Sequence, residues 1–403
     1  MFFLISAIFG LAMASVILIG QNLGAKQVDE AKKVVGTSIV FFLVLSLIVG
    51  GIGLLFSGTI LDLMNTPPDA KQFAVSYTRI IFAGVPFMFG FNLVMAVLRG
   101  AGDAKTPFYF LLLSAVLDVG LNPLLIEGYG PFPRLGIAGS ATATFIAQFI
   151  SFVLLILHLY RKKYFLRITR ADVHLLRFDW SIIRTTVQKG VPMGLNMVVV
   201  SVSNLLLIHL INSYGSEAAA AFGVAMQISS YVQMPAMAIG GAATSMAAQN
   251  IGAGLWSRVS RITWIGVGFN VGLTGLLVLV LHLFNREVLG FFLPAGKAID
   301  LGMQINDISL WSFILFGIFN VLAGVVRSSG AVVAPLVIAF ITLLLVRIPL
   351  ATYLGHAYGF NPIWWSFPIS FAVAAGLNLL YYRFGNWKKA CMLGRPAPRG
   401  GTA

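Results

Sequence analysis

Charged residues are scarce in this chain. Asp, Glu, Lys and Arg make up only 10% of the 403 residues, whereas 58% are hydrophobic and the mean hydropathy is +0.91. A water-soluble globule of this size cannot bury so large an apolar fraction. The composition therefore excludes an ordinary soluble domain and predicts a protein of the lipid bilayer.

Cysteine and clustered metal ligands are also lacking. The single Cys391, near the C-terminus, excludes an internal disulfide framework. The five histidines are scattered without the spacing of metal ligands, and they are interpreted as structural or interfacial: His158, His174, His209, His282 and His356. Because no group of His, Asp, Glu or Cys is concentrated near one membrane interface, we expect neither an enzyme nor a cofactor beyond a coupling ion.

Long apolar runs are abundant. Eleven segments are long enough to cross a bilayer: 2–20, 37–61, 73–98, 107–126, 137–160, 190–213, 218–248, 262–284, 305–326, 334–354 and 363–383. Helices are the only open-ended structures that satisfy every backbone polar group within the bilayer. The sequence therefore predicts an all-α polytopic membrane protein with about 11 transmembrane helices.

The basic residues are distributed unequally between the two sides of the membrane. If the loop after the first segment is cytoplasmic, 21 of the 27 Lys and Arg residues lie on that side. The positive-inside rule then predicts a multi-pass protein of the plasma membrane, the inner membrane of a bacterium, with a cytoplasmic C-terminus. The sequence pI of about 10.1 is explained by topology, so no nucleic-acid partner is expected, although residues 161–189 could touch anionic lipid headgroups.

One unit of the chain is used twice. Gln21-Asn22-Leu23-Gly24-Ala25 returns 228 residues later as Gln249-Asn250-Ile251-Gly252-Ala253. The same offset pairs Asn92 with Asn320, Arg99 with Arg327, Gly102 with Gly330 and Pro107 with Pro335, and a two-residue contraction pairs Pro123 with Pro349. Six segments, an even number, separate the two motif copies, so the two helix bundles are parallel repeats.

The repeat defines the expected domains. We expect an N-lobe at 1–165 with five visible helices, a cytoplasmic linker at 166–189, a six-helix C-lobe at 190–385 and a cytoplasmic tail at 386–403. Segment 190–213 opens the second repeat, and the offset of 228 residues would place its counterpart before Met1. We therefore expect the first lobe to lack its first transmembrane helix in this chain.

An acidic residue stands deep in a predicted span. Asp118 lies eleven residues into the segment that begins at 107, about 16 Å deep in a hydrocarbon core of about 30 Å. Ser114 and Asn122 lie one turn before and after it on the same helix face. Oxygen atoms of Asp118, Asn122 and Thr144 could coordinate Na⁺, or Asp118 could carry a proton. A structural role for Asp118 is the alternative, and Thr142 competes with Thr144.

These residues resemble the multidrug and toxin extrusion (MATE) transporters. The resemblance covers nearly the whole chain and is carried by 20–25 with its second copy, by 98–107, by Asn122-Pro123 and by 135–144. It implies twelve helices in two six-helix lobes that rock, and monomeric secondary active export of small organic cations or drugs in exchange for Na⁺ or H⁺. It also implies that Asp118, Asn122 and Thr144 match the cation site of the N-lobe, and that a further aspartate of that site belongs to the missing helix.

Other polar residues are weaker candidates. Asn196, Asn204, Gln227 and Gln233 offer uncharged hydrogen-bonding groups for a substrate cavity, among 32 Phe and 13 Met. Gln21, Asn22, Gln249 and Asn250 end helices on the basic side, as do Arg99 and Arg327. We interpret these six first as residues that bond to helix ends, with substrate contact or closure of a cytoplasmic gate as the alternative.

Arg347 stands out, because it lies well inside segment 334–354 and has no obvious acidic partner. It could bind a carbonyl, extend toward the interface or repel the driving ion. The deep segments of the second repeat are expected to contain no Asp or Glu, which would place carboxylate coupling in the first repeat. The remaining alternatives are a flippase for lipid-linked saccharides, a major-facilitator transporter and a truncated transporter without function.

Overall fold

The computed structural model describes residues 2–63, 66–130, 133–293 and 296–393. These residues form thirteen α-helices and no strand. The helices are α1 (Phe2–Gly24), α2 (Val28–Leu63), α3 (Pro68–Gly100), α4 (Lys105–Pro123), α5 (Ile137–Arg161), α6 (Trp180–Asn212), α7 (Ser216–Gly252), α8 (Trp256–Leu283), α9 (Asn285–Gly290), α10 (Lys297–Ser328), α11 (Val333–Phe340), α12 (Ile348–Tyr358) and α13 (Ser366–Phe384). Most of the predicted tail, 394–403, lies outside the described residues.

All eleven predicted segments are helical, which confirms the all-α membrane fold. Nine spans among the described residues are long and apolar enough to cross a bilayer, and α1 and α7 account for the other two segments. Many large apolar side chains on these helices are exposed, among them Leu55, Val119 and Phe269. These apolar side chains can face the lipid tails. The backbone polar groups behind them are already hydrogen-bonded within each helix, so they need no water.

The chain divides into two compact units. The long unit comprises Met1–Lys26 and Val187–Ala403, and the short unit comprises Gln27–Thr186. In the long unit, α10 packs against α7, α8 and α13, and α1 packs against α7. In the short unit, α3 packs against α2 and α5, and α5 also packs against α4. Helix α1 therefore packs with the helices of the second repeat.

The two copies of the Gln-Asn motif meet where α1 crosses α7. A Cβ atom added to Gly24 would collide with the backbone carbonyl of Gln249, and one added to Gly252 would collide with the carbonyl of Gln21. Only glycine permits backbones to approach this closely. The glycine of each copy thus provides space for the glutamine backbone of the other copy.

The repeat is also visible in matched turns. Gly102 and Gly330 follow α3 and α10 with φ of 85° and 98°, and their N–H groups donate to the carbonyls of Arg99 and Arg327. Positive φ is readily adopted by glycine, so each glycine ends its helix in the same way. Pro107 and Pro335 then lie near the starts of α4 and α11.

A π-helical turn interrupts one helix in each repeat. The first, Leu124–Gly128, follows Pro123 at the end of α4, and the second, Ile341–Arg347, joins α11 to α12 just before Pro349. Proline cannot donate a backbone hydrogen bond, and π turns often occur at functional sites. In the second turn, the hydroxyl of Ser203 donates to the carbonyl of Leu343 at 3.0 Å.

The basic linker is anchored to the start of α2. Lys32 pairs with Asp172 at 3.1 Å and Lys33 with Asp179 at 3.5 Å. Asp172 also accepts hydrogen bonds from the hydroxyl and the backbone N–H of Thr169, at 2.6 and 3.0 Å. These bonds from Thr169, together with Lys32, lower the pKa of Asp172 to about 2.

Candidate functional site

The structure brings Asp118 and Thr144 together in the short unit. The hydroxyl of Thr144, on α5, donates to Oδ1 of Asp118, on α4, across 2.9 Å. Both residues are partly buried, and Asp118 forms no ion pair with any described Lys or Arg. The carboxylate is therefore held by a neutral donor and has no permanent counter-ion within the described chain.

Local structure explains how these two side chains meet. Gly139, near the start of α5, lies against the backbone carbonyl of Leu125 in the π turn that follows α4. A side chain at 139 would collide with that carbonyl, so glycine allows α5 to approach the end of α4 closely. Thr144 follows Gly139 by five residues and comes to lie beside Asp118. Ser114, one turn before Asp118 on α4, is buried.

Asn122 and Thr142 make local bonds instead. The side-chain amide of Asn122 donates to the backbone carbonyl of Asp118 at 2.8 Å, not to its carboxylate. The hydroxyl of Thr142 donates to the carbonyl of Ala138 on its own helix at 2.8 Å. Of the two threonines considered from the sequence, Thr144 is the one that contacts Asp118. Asn122 lies one turn after Asp118 on α4, and its amide nitrogen is bound to the backbone.

A cavity in the long unit contains two of the four expected cavity residues. Asn196 and Gln233 line it together with Arg347, and much of its wall is aromatic: Phe313, Phe316, Phe319, Phe367 and Phe371. Asn204 and Gln227 are not among its lining residues, and the amide of Gln227 instead donates to the hydroxyl of Tyr231 at 3.1 Å. The structure thus adds a buried cation to this group of neutral polar residues.

The motif residues bond mainly to helix ends. Asn22 and Asn250 each donate to the carbonyl one turn earlier in the helix, Leu18 and Met246, both at 2.8 Å. Gln21 is fully buried, and its amide nitrogen donates to the carbonyl of Ser328 at 2.7 Å. The side-chain oxygen of Gln21 accepts from the backbone N–H of Met392 at 3.1 Å and lies 3.7 Å from the sulfur of Cys391. This last contact connects the first motif copy to the C-terminal segment.

The structure also shows an acidic residue that sequence reasoning missed. Asp307 lies within α10, at the start of predicted segment 305–326, so the expectation that the second repeat has no acid in its spans was wrong for this residue. Its carboxylate accepts from Asn285 at 3.0 Å and lies 3.4 Å from Nδ1 of His282. Asp307 is the third residue of that segment and so lies near its boundary, and its partners are more than 20 residues away in the chain.

Comparison with known proteins identifies the family. The MatE family model matches residues 1–124 and 192–353, which is more than half of the chain. The chain belongs to the MatE family. It is 38% identical over 390 residues to the probable multidrug resistance protein YoeA of Bacillus subtilis (strain 168), which covers 96% of this chain and 84% of YoeA. A second protein of that organism, the probable multidrug resistance protein YpnP, is 30% identical over 385 residues, 95% of this chain and 84% of YpnP.

The fold matches solved MATE structures. An outward-facing conformation of a multidrug resistance MATE family transporter of the MOP superfamily has a TM-score of 0.88 at 20% identity, covering 95% of this chain and 84% of that one. Membership in the MatE family makes this chain a membrane transporter and not an enzyme, as predicted from the sequence. The resemblance seen in the motifs is confirmed.

Proposed function

We propose that this MatE protein is a secondary active multidrug efflux transporter that exports organic cations in exchange for Na⁺ or H⁺. Its relatives YoeA and YpnP are named as probable multidrug resistance proteins, which supports the efflux role. The observation that carries the coupling role is the carboxylate of Asp118, which lies within a span and is held by the hydroxyl of Thr144. Ionisable residues within spans are costly and are usually functional.

The chemistry at Asp118 suits a small cation that binds and leaves. An ionised carboxylate in a span is stabilised by any monovalent cation that reaches it, and a neutral donor such as Thr144 does not compete as a fixed cation would. With Na⁺, oxygen atoms of Asp118, Asn122 and Thr144 would supply ligands, and with H⁺ the carboxyl group would become neutral. Binding can shift the transporter between states only by its difference in affinity for them.

Alternating access is proposed to arise from rocking of the two lobes. The parallel repeat, the prolines at 123 and 349 and the adjacent π turns support this proposal, because such interruptions let a helix bend. The distribution of Lys and Arg supports a cytoplasmic C-terminus and insertion into the plasma membrane. We propose that the monomer is the transporting unit.

The test is ion-driven efflux of ethidium by the Asp118→Asn variant. The protein would be reconstituted into liposomes, and an inward Na⁺ gradient or a pH gradient would be imposed separately. We expect wild type to respond to one gradient and Asp118→Asn to lose most of that response. The matched control is Glu127→Gln, which neutralises an exposed acid beyond the end of α4. Full ion-driven efflux by Asp118→Asn, with equal protein in the liposomes, would refute the coupling role.

A further inference from the structure

The basic linker presents two arginines to its surroundings. Residues 161–184 include seven Lys and Arg residues but only two acidic residues, Asp172 and Asp179. Both carboxylates pair with lysines at the start of α2. Among the described residues, no Asp or Glu forms an ion pair with Arg170 or Arg177, and both arginines are exposed. These two cations are therefore available to an anion from outside the chain.

One edge of the linker is attached to α2. Residues Arg170–Leu175 form a 3₁₀-helix, in which residues three apart share an edge. Asp172 and Leu175 therefore share an edge. Asp172 pairs with Lys32 of α2 at 3.1 Å. A Cβ atom added to Gly36 of α2 would collide with the backbone carbonyl of Leu175, so the linker lies directly on that helix.

The contact at Gly36 sets the depth of the linker in the membrane. Gly36 immediately precedes the apolar segment 37–61 of α2, so Leu175 lies at the boundary of the hydrocarbon core. Lys32 comes four residues before Gly36, which is about 6 Å farther out along the helix. The headgroup layer on each side of the core is about 5–8 Å thick. The linker therefore lies at the level of the lipid headgroups.

The other edge of the linker carries basic and apolar side chains. Arg170 and Val173, also three residues apart, share this edge, and both are exposed. After the 3₁₀-helix, Arg177 is followed by Phe178 and Trp180, whose rings stack with their centroids 6.4 Å apart. Both aromatic side chains and Val173 are more than half exposed. Basic residues mixed with exposed aromatic residues are typical of segments that lie in the interface of an anionic membrane.

From this arrangement we infer that residues 170–180 are a docking surface for anionic phospholipids. Arg170 and Arg177 bind the phosphates of the headgroups, and the exposed apolar side chains beside them pack against the parts of the acyl chains nearest the headgroups. A lipid with a net negative charge, such as phosphatidylglycerol, is favoured over phosphatidylcholine, whose ammonium group offsets its phosphate. This surface goes beyond the proposed function, because lipid binding by the linker depends neither on export nor on coupling at Asp118.

The test measures which lipid lies next to the linker. A nitrobenzoxadiazole fluorophore is attached to Ala171→Cys, an exposed position beside Arg170, in a protein that also carries Cys391→Ser. The protein is placed in nanodiscs of phosphatidylcholine with about 20% phosphatidylglycerol, and a trace of one of the two lipids carries a doxyl quencher on its acyl chain near the headgroup. Each basic residue near an anionic surface favours binding by about fivefold, so the phosphatidylglycerol quencher should act at least about fivefold more efficiently. Higher NaCl should reduce this ratio.

Two double variants locate the preference to the linker. Arg170→Gln with Arg177→Gln should bring the ratio of the two quenching efficiencies close to one. Arg170→Lys with Arg177→Lys should keep most of the ratio, because the attraction depends mainly on charge. The matched control is Arg258→Gln with Arg261→Gln, which removes the same charge from the exposed start of α8 and should keep the wild-type ratio. Asp118→Asn should also keep it, so failure of ion coupling and failure of this surface are separate results.

Specific results would overturn the inference. Equal quenching by the two lipids in wild type would show that the linker does not select an anionic lipid. An equal loss of preference in the linker variant and in the α8 control would show that only the net charge of the protein matters. Loss of the preference in inorganic phosphate, but not in NaCl of the same ionic strength, would identify a site for free phosphate and not a lipid surface.

Discussion

The hydroxyl of Thr144 donates to the carboxylate of Asp118 across 2.9 Å, joining α5 to α4. The hydroxyl of Thr142, two residues earlier on α5, instead donates to the backbone carbonyl of Ala138. The two threonines have the same side chain on the same helix and differ in what they bind. They therefore form a natural pair for testing the candidate ion site.

We predict that Thr144→Val impairs ion coupling and that Thr142→Val does not. Losing a hydrogen bond to Asp118 is worth roughly 1 kcal/mol, which corresponds to about a fivefold higher ion concentration for half-maximal ethidium efflux. Valine keeps the shape and the branching at Cβ, so packing should change little. Efflux would be measured in proteoliposomes over a series of ion concentrations. Equal effects of the two variants would argue against a special role for Thr144.

The crossing of α1 and α7 predicts that two glycines of α7 differ in how much their replacement by alanine changes the stability of the protein. Gly252→Ala should lower the melting temperature, because the new methyl group meets the carbonyl of Gln21, and overpacking typically costs about 1–3 kcal/mol. Gly241→Ala, also on α7, meets nothing within 4 Å and should be neutral or stabilise the helix by up to about 1 kcal/mol. Thermal stability of the detergent-solubilised protein would be followed by size-exclusion chromatography. An unchanged melting temperature for Gly252→Ala would contradict the close crossing.

Gln21 is predicted to hold the segment around Cys391. Gln21→Ala removes the bond to the N–H of Met392 and the contact with Cys391, so the segment should open more often. A lost hydrogen bond of roughly 1 kcal/mol predicts about fivefold faster maleimide labelling of Cys391, the single cysteine. The control is Asn22→Ala, which removes a bond within α1 to Leu18. If both variants label at the wild-type rate, Gln21 does not hold the segment.

The linker should be insensitive to pH near neutrality. The folded pKa of Asp172 is about 2, below the usual value near 3.9, because of hydrogen bonds from Thr169 and the ion pair with Lys32. The stabilisation from Asp172 is therefore fully present above about pH 4 and is lost as the pH falls through about 2. Trypsin cleavage in the linker, corrected for the activity of trypsin itself, should be constant from pH 6 to pH 8.

Removing the charge of Asp172 by mutation should increase the rate of trypsin cleavage in the linker, although changing the pH near neutrality should not. Asp172→Asn weakens the attachment of the linker to α2, so we expect faster cleavage at Arg170 and Arg177 throughout that pH range. Asp29→Asn is the control, since it removes an exposed carboxylate from the start of α2. A cleavage rate in Asp172→Asn equal to that of the control would show that these bonds do not hold the linker.

The helices were predictable because the bilayer imposes one simple rule. Any span must be apolar and helical, so hydropathy alone located all eleven segments. The ends of the helices were less predictable. Helix α6 begins at Trp180. Hydropathy placed its start at 190, because the first turns contain polar residues such as Arg184 and Lys189. Helix α2 likewise begins at Val28, before the apolar run at 37. Helices extend beyond the hydrocarbon core, where hydropathy carries no information about them.

The candidate sites were predictable only in part. Asp118 could be singled out because a lone acid in an apolar segment is conspicuous. Thr144 was assigned to the same site through the resemblance to MATE transporters, which includes residues 135–144. The aromatic surroundings of Arg347 could not be deduced, since Phe367 and Phe371 belong to another helix. The contacts of Asp307 with His282 and Asn285 were hidden for the same reason. Side chains that meet through tertiary packing leave no periodic pattern in one sequence.

The reciprocal glycines at the crossing of α1 and α7 limit how a duplicated gene can diverge. Each copy of the motif is the packing partner of the other, so a bulkier residue accepted by one half must be accommodated by the main chain of its twin. A substitution in either copy of the motif must therefore be compatible with the structure of both copies. Mutual steric fit alone would therefore keep glycine at both 24 and 252, without any ligand.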